Sequence, residues 1–125
     1  MISKNEPVER RKHKRFQAPH GAIVGLRPPY LGIGRVINIG IGGLAFSYTA
    51  DEALPSLSSE LDIFLSIRNF YLCKVPFETV WDLETDGMPF SSIRTRQSGL
   101  QFGQLTPGQM SQLEFLVQNY GSGRA

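Results

Sequence analysis

Apolar and polar residues alternate with a period of two through much of the chain between residues 22 and 102. Leu44, Phe46 and Tyr48 are separated by Ala45 and Ser47. A second run has apolar residues at positions 61, 63, 65 and 67, and these are separated by Asp62, Phe64 and Ser66. A period of two gives a strand one buried and one exposed face, so both runs predict half-buried β-strands.

The rest of this region is divided by turn residues into further short segments of strand-like composition. They are Ala22 to Leu26, Leu31 to Ile39, Tyr71 to Leu83, Ile93 to Thr95 and Gly99 to Phe102. The break at Arg27-Pro28-Pro29 and the Asp86-Gly87 pair are typical of connections between antiparallel strands. Within the long segment, Pro76 indicates a bulge or an edge, and Cys73 is expected to be a buried strand residue.

The period changes near the C-terminus, where a helix is predicted. Thr106 precedes Pro107, and Gln109 follows three residues after the threonine, which is the arrangement of a capping box at a helix start. Apolar residues then recur at helical spacing: Met110, Leu113, Val117 and Tyr120, with Gly121 where a helix would end. The predicted fold is therefore all-β with one C-terminal helix, in which six antiparallel strands close a small barrel.

Charge is unevenly distributed along this 125-residue chain. The first twenty residues hold six basic side chains against two acidic ones, so they carry +4, whereas the whole chain carries +2. The basic residues are Lys4, Arg10, Arg11, Lys12, Lys14 and Arg15. Such a cluster is a solvated tail or a site for phosphates or an acidic surface. We therefore divide the chain into a flexible basic arm (residues 1–17), a barrel (18–105) and a helix packed on it (106–121).

The sequence contains little that suggests catalysis or metal binding. His13 and His20 lie in or beside the arm, and Cys73 has no evident partner for nucleophilic chemistry or a disulfide. Asp82 and Glu84 precede a predicted turn, where acidic side chains are normally solvated. We expect no catalytic residues, no metal site and no cofactor, and therefore a protein that is not an enzyme.

Membrane insertion and export are also disfavoured. No apolar run approaches the roughly 20 residues of a membrane-spanning helix, and the charged N-terminus lacks the apolar stretch of a secretory signal. We expect a cytoplasmic protein without a membrane span.

Two short motifs point to a binding function. Arg11 and Arg15 form an Arg-x-x-x-Arg pair before the first strand, and Asn38-Ile39-Gly40-Ile41-Gly42-Gly43 follows at the end of a strand. Together with Gly99-Leu100-Gln101-Phe102 before the terminal helix, these motifs make almost the whole chain resemble the PilZ family. That family carries an Arg-x-x-x-Arg pair and an Asp/Asn-x-Ser-x-x-Gly turn on a six-stranded split barrel.

The resemblance implies a bacterial receptor for the second messenger cyclic di-GMP. Its ligand-binding residues would be Arg10, Arg11, Arg15, Asn38, Gly40 and Gly43. Arginine can grip a phosphate, bond to guanine O6 and N7, or stack on a base, and asparagine offers both a donor and an acceptor to a guanine edge. The arm would become ordered over the ligand and so signal to an unidentified protein effector.

One position departs from the family pattern. Gly40 stands where the family has serine, so a hydroxyl contact worth roughly 0.5–1.5 kcal/mol is missing, which weakens binding by up to about tenfold. The Arg10-Arg11 pair is of the kind that accompanies two intercalated ligand molecules in PilZ domains, so the stoichiometry is one or two.

Two other functions remain open at this point. A PilZ-like domain that has lost its ligand would serve as a protein-interaction adaptor, and Gly40 would be the trace of that loss. A nucleic-acid binder would use the arm on phosphates, with affinity that falls steeply with salt. Phe16 is the one aromatic residue in the basic segment, so a stacking platform for single strands is not evident there, and nucleic acid is an unlikely partner.

Overall fold

The computed structural model describes residues 14–27, 30–66, 69–85, 94–120 and 122–124. The strands are β1 (Phe16–Gln17), β2 (Ala22–Leu26), β3 (Gly32–Ile39), β4 (Gly43–Thr49), β5 (Glu60–Leu65), β6 (Phe70–Glu84), β7 (Thr95–Phe102) and β8 (Ser122–Arg124). A short 3₁₀ turn covers Leu54–Leu57, and helix α1 covers Pro107–Tyr120. Several residues singled out above lie outside the described residues: Arg10, Arg11, His13, Ile67, Asp86, Ile93 and Gly121.

Six of the strands form a closed antiparallel barrel. They follow one another in the order β2, β5, β6, β7, β4 and β3, and β3 pairs again with β2. All of these pairings are antiparallel, so every barrel strand has a partner on both sides along part of its length. The predicted fold class, a six-stranded antiparallel barrel followed by one helix, is confirmed. Closure protects backbone groups that an open sheet would leave unpaired at its edges.

Two short strands extend the sheet beside β3. The first half of β3 pairs with β2, and its last residues, Asn38 and Ile39, pair with Gln17 and Phe16 of β1. Strand β8 pairs with the other side of β1. The last two residues of the segment taken as the arm, Phe16 and Gln17, are therefore paired with the barrel wall.

The core is formed by the apolar face of each strand. Leu44, Phe46, Leu61, Ile63 and Leu65 are all no more than 2% exposed, as their alternation predicts. Further apolar residues from β2, β6, β7 and α1 complete the same cluster. Each fully buried side chain of this size stabilises the fold by roughly 1.5–3 kcal/mol. Because these side chains form one cluster, the barrel has a single hydrophobic core.

The prediction that Cys73 is buried is wrong, because β6 contains a bulge at this point. Leu61 pairs with Val75 and Ile63 pairs with Leu72, so two residues of β6, Cys73 and Lys74, face one residue of β5. Lys74 has a positive φ of 55°. The extra residue resets the alternation, so that Leu72 and Val75 both point into the core and Cys73 is exposed.

Helix α1 begins with the capping box expected from the sequence. The Thr106 amide donates to Gln109 Oε1 at 2.9 Å, and the Gln109 amide donates to Thr106 Oγ1 at 3.1 Å. Leu113 and Leu116 are the helix residues buried in the core, whereas Met110 and Val117 are half-buried. Leu116 was not part of the predicted stripe. Among the described residues, no helix is long and apolar enough to cross a bilayer.

The expectation that Asp82 is solvated is also wrong. Its side chain is 8% exposed and accepts hydrogen bonds from Arg96 Nε at 2.7 Å and from the Tyr48 hydroxyl at 2.5 Å. Asp82 lies on β6, Arg96 on β7 and Tyr48 on β4, so the cluster joins three neighbouring strands of the barrel. Burial of Tyr48 and its hydrogen bond to Asp82 raise the pKa of the phenol to about 12.

This shift predicts a loss of stability in strong base. The phenol of Tyr48 has a pKa near 10 in the unfolded chain and about 12 in the folded protein. Its contribution to the free energy of unfolding is therefore complete below pH 10 and is lost as pH rises from 10 to 12. Over that window, the free energy of unfolding of wild type should fall more steeply than that of Tyr48→Phe, by up to about 1.4 kcal/mol per pH unit. Urea titrations at pH 9, 10 and 11 measure this difference, and parallel curves for the two proteins would contradict it.

Candidate functional site

The β1–β3 pairing brings the two sequence motifs together. Phe16 lies opposite Ile39, so the preceding residue, Arg15, lies beside Gly40 at the start of the β3–β4 turn. Arg15 Nη1 donates to Asn38 Oδ1 at 3.4 Å, across a separation of 23 residues. Arg15 and Asn38, which sequence reasoning assigned to one site, are in contact.

The Arg15 guanidinium is held in a fixed position on the barrel wall. Its Nη2 donates to the Leu100 carbonyl oxygen of β7 at 2.9 Å, and the residue is only 8% exposed. The side chain therefore crosses the outside of the β3–β4 hairpin and ends above β7. Hydrogen bonds to a charged group are worth roughly 1.5–3 kcal/mol each, which is enough to outweigh the entropy lost by ordering an arginine.

Gly40 and Gly43 are glycines because a side chain at either position would collide with neighbouring atoms. Neither has a positive φ. A Cβ on Gly40 would overlap the Lys14 carbonyl oxygen, and a Cβ on Gly43 would overlap the Leu100 carbonyl oxygen and lie 2.7 Å from Arg15 Nη2. The Gly40 amide also donates to the Gly43 carbonyl oxygen at 2.9 Å, which closes the turn. Both glycines thus allow the chain before β1 and the Arg15 side chain to lie flat against the hairpin.

A row of residues extends from Asn38 across the outer face of the barrel. Asn38 pairs with Ala45, Ala45 with Gly99, and Gly99 with Trp81, so that four neighbouring strands each contribute one residue on the same side of the sheet. The next row, which includes Leu44 and Leu100, points into the core. Neighbouring strands lie about 4.8 Å apart, so the row is about 14 Å long.

Trp81 forms the far end of this row and was missed by the sequence reasoning. A Cβ on Gly99 would overlap its indole ring, so the ring lies over Gly99, and the residue is 39% exposed. Ala45 and Gly99 lie between Asn38 at one end of the row and Trp81 at the other, and both are buried. The sequence contains one tryptophan, Trp81, on a predicted strand. Its position opposite Gly99 depends on the strand register, which only the fold provides.

A second polar cluster, centred on Asp62, lies on the outer face of β2, β5 and β6. Asp62 is fully buried and accepts hydrogen bonds from Arg27 Nε and Nη2 at 2.7 and 2.9 Å, from the hydroxyls of Tyr30 and Tyr71 at 2.6 and 2.8 Å, and from the Lys74 amide at 2.9 Å. The Lys74 amide belongs to the β6 bulge, so the carboxylate fixes the bulge in place.

The partners of Asp62 determine its ionisation. Burial alone would raise the pKa of this carboxyl, but the hydrogen bonds from Arg27, Tyr30, the Lys74 amide and Tyr71 outweigh it and hold the pKa well below its usual range. The hydrogen bond to Asp62 likewise raises the pKa of Tyr30 above its usual range. A carboxylate whose lone pairs are occupied in this way stabilises the fold and is unsuited to acid–base catalysis. No group of three metal-binding side chains occurs in the part of the chain that the structure describes.

Comparison with known proteins identifies the fold. No family model matches the sequence, and no curated protein matches it. Among solved structures, the chain is similar to the PilZ domain of YcgR from Escherichia coli, a structure determined with cyclic di-GMP. The TM-score is 0.64, the sequences are 13% identical, and the match covers 90% of this chain and 92% of that one. The chain therefore has the fold of a PilZ domain.

Proposed function

We propose that this chain is a non-enzymatic receptor for cyclic di-GMP. The observation that carries the proposal is the contact between Arg15 and Asn38, which brings an arm residue and a turn residue 23 positions apart to one place on the barrel wall. The fold supports the proposal, since the PilZ domain of YcgR was solved with this ligand. The ligand would lie on the outer face, between the β3–β4 turn and β6.

The chemistry of this face suits a cyclic dinucleotide. Such a ligand presents two phosphates and two guanine bases. Arg15 can serve a phosphate or the O6 and N7 atoms of a guanine, and the Asn38 amide can both donate to and accept from a base edge. Trp81 offers an aromatic surface on which a base can stack, worth roughly 1–3 kcal/mol.

The basic residues before Lys14 would complete the site. In this proposal Arg10 and Arg11 contribute further contacts to phosphate or guanine, and the arm closes over one or two ligand molecules. Closing the arm costs conformational entropy, which the charged contacts must outweigh. The resulting change of surface would be sensed by a protein effector in the cytoplasm.

A second candidate function is a ligand-free adaptor. It is favoured by the Lys14 carbonyl group, which lies over Gly40 in the space where the family has a serine side chain. In that case the arm segment around Lys14 would be a permanent part of the barrel wall. The two functions differ in whether cyclic di-GMP binds at all.

Isothermal titration calorimetry of cyclic di-GMP into the full chain tests the proposal. Wild type should bind saturably at micromolar or lower concentration, and Arg15→Ala should weaken binding by about ten- to a hundredfold, as expected for loss of one or two charged hydrogen bonds. Trp81 is the one tryptophan in the sequence, so its fluorescence should change over the same concentration range.

The controls separate binding at this site from anion binding in general. Arg94→Ala removes an exposed arginine that pairs with Glu84 at 3.0 Å, and it should bind like wild type. GTP should give no saturable heat. Asn38→Ala, which leaves the Arg15 bond to Leu100 intact, should also weaken binding. Absence of binding by folded wild type at high ligand concentration would reject the receptor in favour of the adaptor.

A further inference from the structure

Strands β2, β3 and β4 present an apolar projection beside a groove on the outside of the barrel. Ile33 projects from β3 and is 62% exposed. The adjacent groove has a volume of about 510 Å³, and Ile23, Ile33 and Tyr48 form part of its lining. A projecting side chain next to a groove can fit the same surface of another molecule.

Charges of opposite sign flank this projection. The register that pairs Arg35 with Ser47 places Ile33 beside Thr49. Arg35 is two residues from Ile33 along β3. Asp51 follows two residues after Thr49, where β4 ends and the chain bends, so the chain reaches it on the other side of the Ile33–Thr49 pair from Arg35. Both residues are exposed, and neither forms an ion pair within the described ranges.

This arrangement is self-complementary. A two-fold axis beside the Ile33–Thr49 pair exchanges the two ends, so it brings Arg35 of each copy towards Asp51 of the other and places Ile33 of each copy in the groove beside Ile33 of the other. In a two-fold interface the same patch is used twice, so a contact between two different residues, such as Arg35 and Asp51, is made two times. We propose that the outer face of β2, β3 and β4 binds a second copy of this chain.

The expected interface is small and reversible. A specific stable interface buries about 1,200–2,000 Å² in total, and a patch centred on one isoleucine and two ion pairs lies at the lower end. The ion pairs are at the rim, where salt weakens them. The dimer should therefore dissociate in the micromolar range and more readily at high salt. Arg35 and Asp51 are separate from Arg15 and Asn38, so this inference goes beyond the receptor function and is tested without nucleotide.

Sedimentation velocity of the full chain over about 5–500 µM, in low salt, provides the test. Arg35→Asp places two negative residues at each contact, and Asp51→Arg places two positive ones, so each variant alone should dimerise at least about tenfold more weakly than wild type. An equimolar mixture should recover dimer, because in the mixed pair both contacts join opposite charges. Ile33→Ser should also weaken dimerisation.

A charge reversal elsewhere provides the control. Glu114→Arg changes an exposed acidic residue of α1 and should dimerise like wild type. Circular dichroism checks that every variant is folded. A wild type that remains monomeric at 500 µM would overturn the proposal. So would single variants that dimerise like wild type, or a mixture with no more dimer than its components.

Discussion

Replacing Asp62 with alanine is expected to lower the free energy of unfolding by about 2–4 kcal/mol, because it removes the buried acceptor of five hydrogen bonds. Asp62 has no exposed surface and accepts five hydrogen bonds. Without it, the Lys74 amide in the β6 bulge loses its partner, and Arg27 loses the carboxylate that it binds with two nitrogens. The Lys74 amide is part-buried, so leaving it without an acceptor costs up to about 1–3 kcal/mol.

Urea denaturation at pH 7 measures this effect. Glu60→Ala is the matched control, since it removes an exposed carboxylate from the same strand, and it should change stability by no more than about 0.5 kcal/mol. Tyr30→Phe removes one of the five donors and should cost about 1 kcal/mol. A loss below 1 kcal/mol for Asp62→Ala would mean that the cluster contributes little to the fold.

The low pKa of Asp62 gives the same prediction a pH dependence. A carboxyl group with a depressed pKa in the folded state stabilises the protein above its unfolded pKa of about 3.9, and this contribution is lost as pH falls towards the folded value. The difference in stability between wild type and Asp62→Asn should therefore be largest near neutral pH and shrink below about pH 4. A difference that stays constant down to pH 2 would contradict the assigned charge state.

The sequence predicted the barrel because its strands follow regular local rules. The alternation in β4 and β5 gave the buried faces, and the Thr106–Gln109 capping box gave the start of α1. The errors fall where a bulge or a distant side chain changes a local pattern. Cys73 was misplaced because a bulge adds one residue to the alternation of β6. Asp62 occupies an outward position and is nevertheless buried, because Tyr30 and Tyr71 from other parts of the chain cover it.

The candidate site was predictable only in part, for a related reason. Motif spacing identified Arg15 and Asn38 as members of one site, and the structure brings them together. The contact of Arg15 with the Leu100 carbonyl and the position of Trp81 over Gly99 depend on the register of four strands. Long-range register is set by the closed barrel as a whole and cannot be read from either strand alone.

Gly40 is the position where sequence and structure lead to opposite predictions for ligand binding. The family pattern has serine here, so Gly40→Ser should restore a hydroxyl contact and tighten cyclic di-GMP binding by up to about tenfold. The structure predicts the reverse. A Cβ at this position would overlap the Lys14 carbonyl oxygen, which is backbone and cannot rotate away as a side chain could.

We expect that Gly40→Ser displaces the segment around Lys14 and weakens cyclic di-GMP binding by about tenfold or more. Arg15 follows Lys14 directly, so a shift of this segment moves the guanidinium away from Asn38 and the Leu100 carbonyl oxygen. The loss of one or two charged hydrogen bonds at Arg15 exceeds the gain of one hydroxyl contact. Gly40→Ala is the matched variant, because it adds the Cβ without the hydroxyl and should weaken binding to a similar extent.

Hydrogen exchange provides a readout that does not depend on the ligand. The Ala18 amide donates to the Ile37 carbonyl oxygen at 3.0 Å, so its exchange rate reports whether the chain after β1 stays on β3. Both Gly40 variants should exchange this amide faster than wild type does, even if cyclic di-GMP binds to none of the three proteins. Tighter binding by Gly40→Ser with unchanged exchange would show that the segment around Lys14 accommodates the serine side chain without leaving β3. In that case the family's serine contact would determine affinity at this position.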